Sequence, residues 1–201
     1  MLAARYSDFR IEAGCDEAGR GCLSGPVFAA AVVFPADYRN AALDDSKKLS
    51  EKARYALREE ILHDALSYGV ARVEAEEIDR INILNASIKA MHLALAKLDP
   101  QPEFITVDGN RFKPYGKVPH ACVVKGDGKL LSIAAASILA KTCRDDCMKE
   151  LDLQYPGYGW AKNKGYPTAD HYQAIARLGV TPFHRHSFRL HPEPELFDPN
   201  G

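Results

Sequence analysis

"GCDEAGRGCLSGP", Gly14 to Pro26, is flanked by two apolar runs, "IEAGC" (Ile11 to Cys15) and "VFAAAVVF" (Val27 to Phe34). "RIEAGC" (Arg10 to Cys15) and "PVFAAAVVF" (Pro26 to Phe34) read as two strands close in sequence, joined by the glycine-rich stretch. Two adjacent carboxylates, Asp16 and Glu17, stand where a strand should bury itself, and Gly19-Arg20-Gly21 follows at once. Carboxylates in such a place need a turn or cap that uses them, or a cation that neutralises them.

The rest of the chain alternates strand and helix patterns. "YGVARV" (68–73), "EFITVDGN" (103–110) and "HACVVKGD" (120–127) read as further strands. Ser50 can cap a helix from Glu51 to about Ser67. "INILNASIKAMHLALAKL" (81–98) has apolar residues at helical spacing and stops at Asp99-Pro100. "LLSIAAASILAKTCRDDCMKEL" (130–151) is the longest helical pattern, and its small residues would let it lie close on a sheet. "TADHYQAIARLG" (168–179) is a further helix, capped by Thr168 and ended by Gly179. The order predicts an α/β fold, a mixed sheet with helices on its faces. A single domain over residues 1–201 is expected, with its core at about 11–190 and a loose, proline-rich tail at 191–201.

The acids fall at telling positions. Asp16 and Glu17 close the first predicted strand, Asp108 closes "FITVD", and Asp127 closes "ACVVKGD". Neighbouring strand ends lie about 5 Å apart, so these carboxylates can converge. One acid at a strand end is more often a cap or turn residue. Four that converge without a His or Cys partner make an all-oxygen site suited to Mg²⁺ or Mn²⁺ rather than zinc.

Composition narrows the classes. At 201 residues, with 46% hydrophobic and 26% charged, the chain matches an ordinary globular protein. No apolar run approaches the roughly 20 residues of a membrane span, and "MLAARYSDFRIEAG" lacks a signal-peptide pattern. Cys15, Cys22, Cys122, Cys143 and Cys147 then read as free thiols of a cytoplasmic protein. Net charge is −1, but its distribution is uneven. Arg111 to Arg144 holds seven Lys or Arg against Asp127 alone, and Glu59 to Asp79 holds seven acids against Arg72 alone. One basic face could meet phosphates, although solvated surface explains either segment taken singly. "GRGCLSG" has the wrong spacing for a dinucleotide fingerprint, "KGDGKLLS" lacks P-loop spacing, and no nucleophile elbow is present.

"DEAGRGCLSGPV", "DDSKKLS", "TVDGN", "VVKGDGKLLSIAAASILAKTCRD", "NKGYPT" and "HRHSF" together resemble bacterial ribonuclease HII, in that family's order and over roughly Ile11 to Phe188. The resemblance implies an RNase H-like fold: a five-stranded mixed sheet flanked by helices, with a small C-terminal helical portion. It implies a metal-dependent endoribonuclease that cuts the RNA strand of RNA–DNA hybrids. It also implies cutting 5′ of single ribonucleotides in duplex DNA, leaving 3′-hydroxyl and 5′-phosphate ends. By motif, Asp16, Glu17, Asp108 and Asp127 would hold two divalent ions, Mn²⁺ or Mg²⁺, about the scissile phosphate. Gly19, Arg20 and Gly21 would read the ribose at a DNA–RNA junction, and Tyr166 would pack on the deoxyribose that follows. Ser46 and Lys47 are candidate phosphate contacts, with Lys125, Lys162 and Lys164 beside them. Arg185 and Ser187 are structural or phosphate-facing. Cys15 and Cys22 are small departures from the family's pattern that leave the chemistry alone.

No N-terminal substrate-binding domain of the ribonuclease HIII kind is evident. A monomer is expected, without an obligate protein partner or a clear motif for a sliding clamp. Two other functions compete. A hybrid-binding protein without activity would be expected to have lost a metal-binding acid, and all four are present. A phosphohydrolase for small esters would leave the basic stretch and Tyr166 unused, and its binding would depend less steeply on salt.

Overall fold

The computed structural model describes residues 2–43, 46 and 49–191. Lys47 and residues 192–201 of the tail lie outside the described residues. Five strands form one sheet in the order β3-β2-β1-β4-β5: β1 Glu12–Ala18, β2 Val27–Val33, β3 Ser67–Val73, β4 Phe104–Asp108 and β5 His120–Val123. β1 pairs antiparallel with β2 and parallel with β4, so the sheet is mixed as the sequence predicts. β2 is buried along its whole length, which explains why "VFAAAVV" runs apolar instead of alternating: helices cover both faces.

On one face lies α4 (Leu131–Gln154), with α1 (Glu51–Asp64) beside it. Phe28, Ala30 and Val32 of β2 meet Ala135, Ile138 and Leu139 of α4 there. On the other face lie α2 (Ala75–Ile81) and α3 (Ile83–Leu95), whose Ile78, Ala86, Ala90 and Ala94 meet Ala13, Cys15, Ala29 and Ala31. Burying a side chain such as Ile138 or Leu139 stabilises the fold by about 1.5–3 kcal/mol. α5 (Trp160–Asn163) and α6 (Ala169–Leu178) form the C-terminal helical portion around the fully buried Trp160.

Four boundaries differ from the sequence reading. β1 continues to Ala18, so Asp16 and Glu17 sit within it, opposite Ala30 and Ala29 of β2. α1 stops at Asp64, because β3 already begins at Ser67. The pattern over 81–98 is two helices: Asn82 has φ 65°, ends α2, and caps α3 by accepting from the Asn85 amide. Asp127 does not close a strand. β5 ends at Val123, and Asp127 rides a 3₁₀ turn, Gly126–Gly128, that leads into α4.

Candidate active site

The parallel register of β1 and β4 pairs Cys15 with Val107, which brings Asp16 and Asp108 side by side at the next step. α4 lies directly over β1: a Cβ on Gly14 would stand 2.4 Å from the Ser132 carbonyl carbon, so only glycine permits this approach. Helix and strand then advance together. Five residues of α4 rise about 7.5 Å and two of β1 about 6.6 Å, so Ser137 arrives beside Asp16 and bonds its carboxylate. The turn after β5 is tied in by the Gly126 amide, which donates to Asp108 Oδ1 at 2.6 Å. Oxygens of Asp16, Asp108 and Asp127 consequently lie within 4.8 Å of one another.

Glu17 is not in that trio. Side chains of successive strand residues point to opposite faces, so Asp16 faces α4 while Glu17 faces α3. Glu17 accepts from Arg20 Nη1 at 3.1 Å and borders a small cleft of 120 Å³ with Ser87, Met91 and Asn110. Asp108, Glu17 and Arg20 line both this cleft and a 280 Å³ cleft on the α4 side.

The crowded carboxylates are costly without a cation. Burial, then repulsion from Glu17 and Asp108, pushes the Asp16 carboxyl well above the ordinary carboxylate range, against the opposing hydrogen bond from Ser137. Burial also raises Glu17, although Arg20 opposes it. A raised folded-state pKa means that the folded protein binds more protons than the unfolded chain between the two values. Without divalent ions, stability should therefore fall as pH rises from the unfolded value through the folded one. Added Mn²⁺ should reverse that slope, because a cation favours the ionised acids. Urea midpoints from pH 4 to 8, with and without Mn²⁺, check this; identical slopes would contradict it.

The 280 Å³ cleft gathers most of the other sequence candidates. Gly19, Arg20, Gly21, Ser46 and Tyr166 line it with Asp16, Glu17 and Asp108. Ser46 is buried and its hydroxyl lies 2.9 Å from that of Ser137, so it serves the pocket floor. Tyr166 is 40% exposed. Its carbonyl is held by His171 Nδ1 at 3.0 Å, while His171 Nε2 accepts from Trp160 Nε1 at 3.0 Å, which fixes the neutral ring with its proton on Nδ1. Burial pushes up both the Tyr166 hydroxyl and the neighbouring Cys22 thiol.

Three further residues here had no site role in the sequence reading: Ser137 and Lys141, inside the quoted stretch 123–145, and Arg54, outside the motifs. Ser137 holds Asp16, Arg54 Nη1 holds the Ser46 carbonyl at 3.1 Å, and Lys141 Nζ sits between Asp145, at 2.8 Å, and the Tyr166 ring. The four-residue spacing of Ser137 and Lys141 on one helix face was the available signal.

The basic stretch does not all face outward. Arg144 is fully buried, as is Arg185 of "HRHSF". Ser187 is held by Asp79, through its amide at 2.9 Å and its hydroxyl. Lys125 and Lys162 are exposed. A roomier cleft, 360 Å³, lies between Gly157 and Arg177 on the C-terminal helices, away from the acid trio. The chemistry of its lining, not its size, decides against it as the reaction site.

The ribonuclease HII family model matches residues 13–191. The chain belongs to the ribonuclease HII family. It is 62% identical over 193 residues to ribonuclease HII of Parabacteroides distasonis, covering 96% of this chain and 97% of that one. The Bacteroides fragilis ribonuclease HII is 59% identical over 190 residues, 94% of each chain. Among solved structures, ribonuclease H2 of Pyrococcus horikoshii superposes with a TM-score of 0.76 at 25% identity, covering 90% of this chain and 94% of that one. Ribonuclease HII of Archaeoglobus fulgidus, solved in complex with PCNA, gives 0.75 at 25% identity, covering 92% and 98%. As a ribonuclease HII the protein is a hydrolase, an endoribonuclease of RNA–DNA hybrids. No helix among the described residues is long and apolar enough to cross a membrane.

Proposed function

We propose that the protein cuts duplex DNA on the 5′ side of single embedded ribonucleotides, besides cutting the RNA strand of hybrids, and so removes ribonucleotides from DNA in the cytoplasm. The observation that carries this is one cleft lined by Asp16 and Asp108 of the acid trio, by Glu17, by the Gly19–Gly21 loop and by Tyr166.

The all-oxygen donor set fits Mg²⁺ or Mn²⁺. Asp16, Asp108 and Asp127 would hold one ion, and Glu17 with Asp108 the other. Held there, two such ions would supply a lowered pKa for the attacking water and charge neutralisation for the leaving 3′ oxygen. The protein's own groups do the rest. The main chain at Gly21 is open to close approach, because nothing lies within 4 Å of where its Cβ would be. A 2′-hydroxyl can be read there, and that group separates RNA from DNA. Tyr166 offers a half-exposed ring against which the next sugar can pack; a 2′-hydroxyl on that sugar would crowd it. Ser46 and Lys141 line the path of the phosphates.

The test is a duplex with one ribonucleotide in one strand, incubated with Mg²⁺ or Mn²⁺ beside an all-DNA duplex. A single cut 5′ of the ribonucleotide, leaving 3′-hydroxyl and 5′-phosphate ends, is expected, with the control intact. Cutting of long hybrids without this cut would restrict the activity to hybrids and refute the proposal.

A further inference from the structure

Arg144 and Arg185 are each 0% exposed, yet among the described residues every hydrogen-bond partner given to their guanidinium groups is a backbone carbonyl. Arg144 donates from Nε to Pro26 at 3.0 Å, from Nη2 to Ser24 at 3.0 Å and from Nη1 to Lys164 at 2.8 Å. Arg185 donates from Nε and Nη2 to Gly25 at 3.0 and 2.9 Å, and from Nη1 to Arg20 at 3.0 Å. The Phe188 ring lies 5.1 Å beneath the Arg185 guanidinium carbon. Burying two cations in this way is expensive. Their partners share one property: all lie on the loop after β1 or on the turn that carries Tyr166.

The two arginines divide that work. Among the described residues the Arg185 guanidinium donates only to loop carbonyls, including that of Arg20 itself. Arg144 spans loop and turn, because Lys164 is two residues from Tyr166. Gly19 is packed against Arg144, whose Nε stands 2.0 Å from where a Cβ would be, so the loop is moulded on this side chain. One main-chain bond, Leu23 amide to Gly165 carbonyl at 2.8 Å, runs beside it.

We propose that Arg144 and Arg185 are positioning residues that clamp the ribose-reading loop, and that Arg144 sets its distance to Tyr166 and thereby the preference for a ribonucleotide–deoxyribonucleotide junction. This rests on the reading of loop and tyrosine given under the proposed function. Ribose lies in both hybrid and junction substrates, whereas the sugar on Tyr166 differs between them. Disturbing the loop alone should slow both reactions alike. Disturbing the loop-to-turn distance should change their ratio.

Lysine keeps the charge but lacks the planar fork that reaches three carbonyls. The experiment compares wild type, Arg144→Lys and Arg185→Lys on a single-ribonucleotide duplex and on a long hybrid, with Mn²⁺ affinity read by calorimetry. In Arg144→Lys the junction-to-hybrid rate ratio should fall roughly tenfold to a hundredfold, the scale of a reacting group displaced by about 1 Å. In Arg185→Lys both rates should fall with the ratio kept, and Mn²⁺ affinity should hold in both variants. Should Arg144→Lys fail to fold, Arg144→Gln carries the same comparison. An unchanged ratio in a folded Arg144 variant, or loss of Mn²⁺ binding along with the rates, would reduce the arginines to fold support and overturn the clamp. A wild type without junction preference would instead refute the underlying reading of Tyr166, and the inference with it.

Discussion

Asp108→Asn is expected to slow hybrid cleavage by about 10³-fold or more while leaving the metal-free protein folded and slightly more stable. On the proposed assignment Asp108 serves both ions, since it belongs to the trio and also borders the cleft of Glu17. Losing an anionic ligand removes several kcal/mol of charge stabilisation, and each 1.36 kcal/mol is a factor of ten in rate, which gives the about 10³-fold figure. Asparagine keeps an oxygen that can accept from the Gly126 amide, so the turn bearing Asp127 should stay in place. The missing charge also relieves Asp16 and Glu17, both pushed up in part by Asp108. A gain of about 0.5–2 kcal/mol is the usual scale for relieving such strain at a functional site. Single-turnover cleavage and urea unfolding without divalent ions check the two halves. A variant that cuts within tenfold of wild type would remove Asp108 from the chemistry, and one that unfolds earlier would show that the carboxylates stabilise one another.

The sheet was legible because its signals are local. "VFAAAVV" is apolar on both faces, β3 alternates, and Asp108 ends a short apolar run. The helix break at Asn82 was not legible, since apolar spacing continues across it and only the positive φ separates α2 from α3. Glu17 leaving the trio followed from alternation along β1; reading the two acids as a pair that closes the strand, rather than as successive residues within it, concealed it. Asp127 reaches the site from a turn whose position depends on where β5 stops pairing. The arginines lay furthest from view. Arg144 meets carbonyls 118 and 120 residues away and Arg185 one 165 away, so a basic residue that reads as surface in its own segment is buried by the fold.

Gly19 and Gly21 stand two residues apart, and alanine should harm them in different ways. Gly19 has φ 95°, outside what a side chain readily adopts, and its Cβ would meet an Arg144 already committed to three carbonyls. Backbone strain of about 1–3 kcal/mol and overpacking of similar size add to roughly 3 kcal/mol or more. That is a large share of the 5–15 kcal/mol or so that holds a typical domain together. Gly19→Ala should therefore unfold at clearly lower urea, with cleavage lost alongside. Gly21 has no positive φ and open space where a Cβ would stand, so Gly21→Ala should change stability by no more than about 0.5 kcal/mol. The methyl group would occupy the space through which a ribose reaches the main chain. Anisotropy with a labelled hybrid in EDTA, together with cleavage in Mn²⁺, should show binding and cutting reduced at unchanged stability. Wild-type binding and cutting by Gly21→Ala would mean that the ribose is read elsewhere, leaving Arg20 as the loop's only contact with the strand. Loss confined to cutting would mean that the loop aligns the phosphate rather than recognising the sugar.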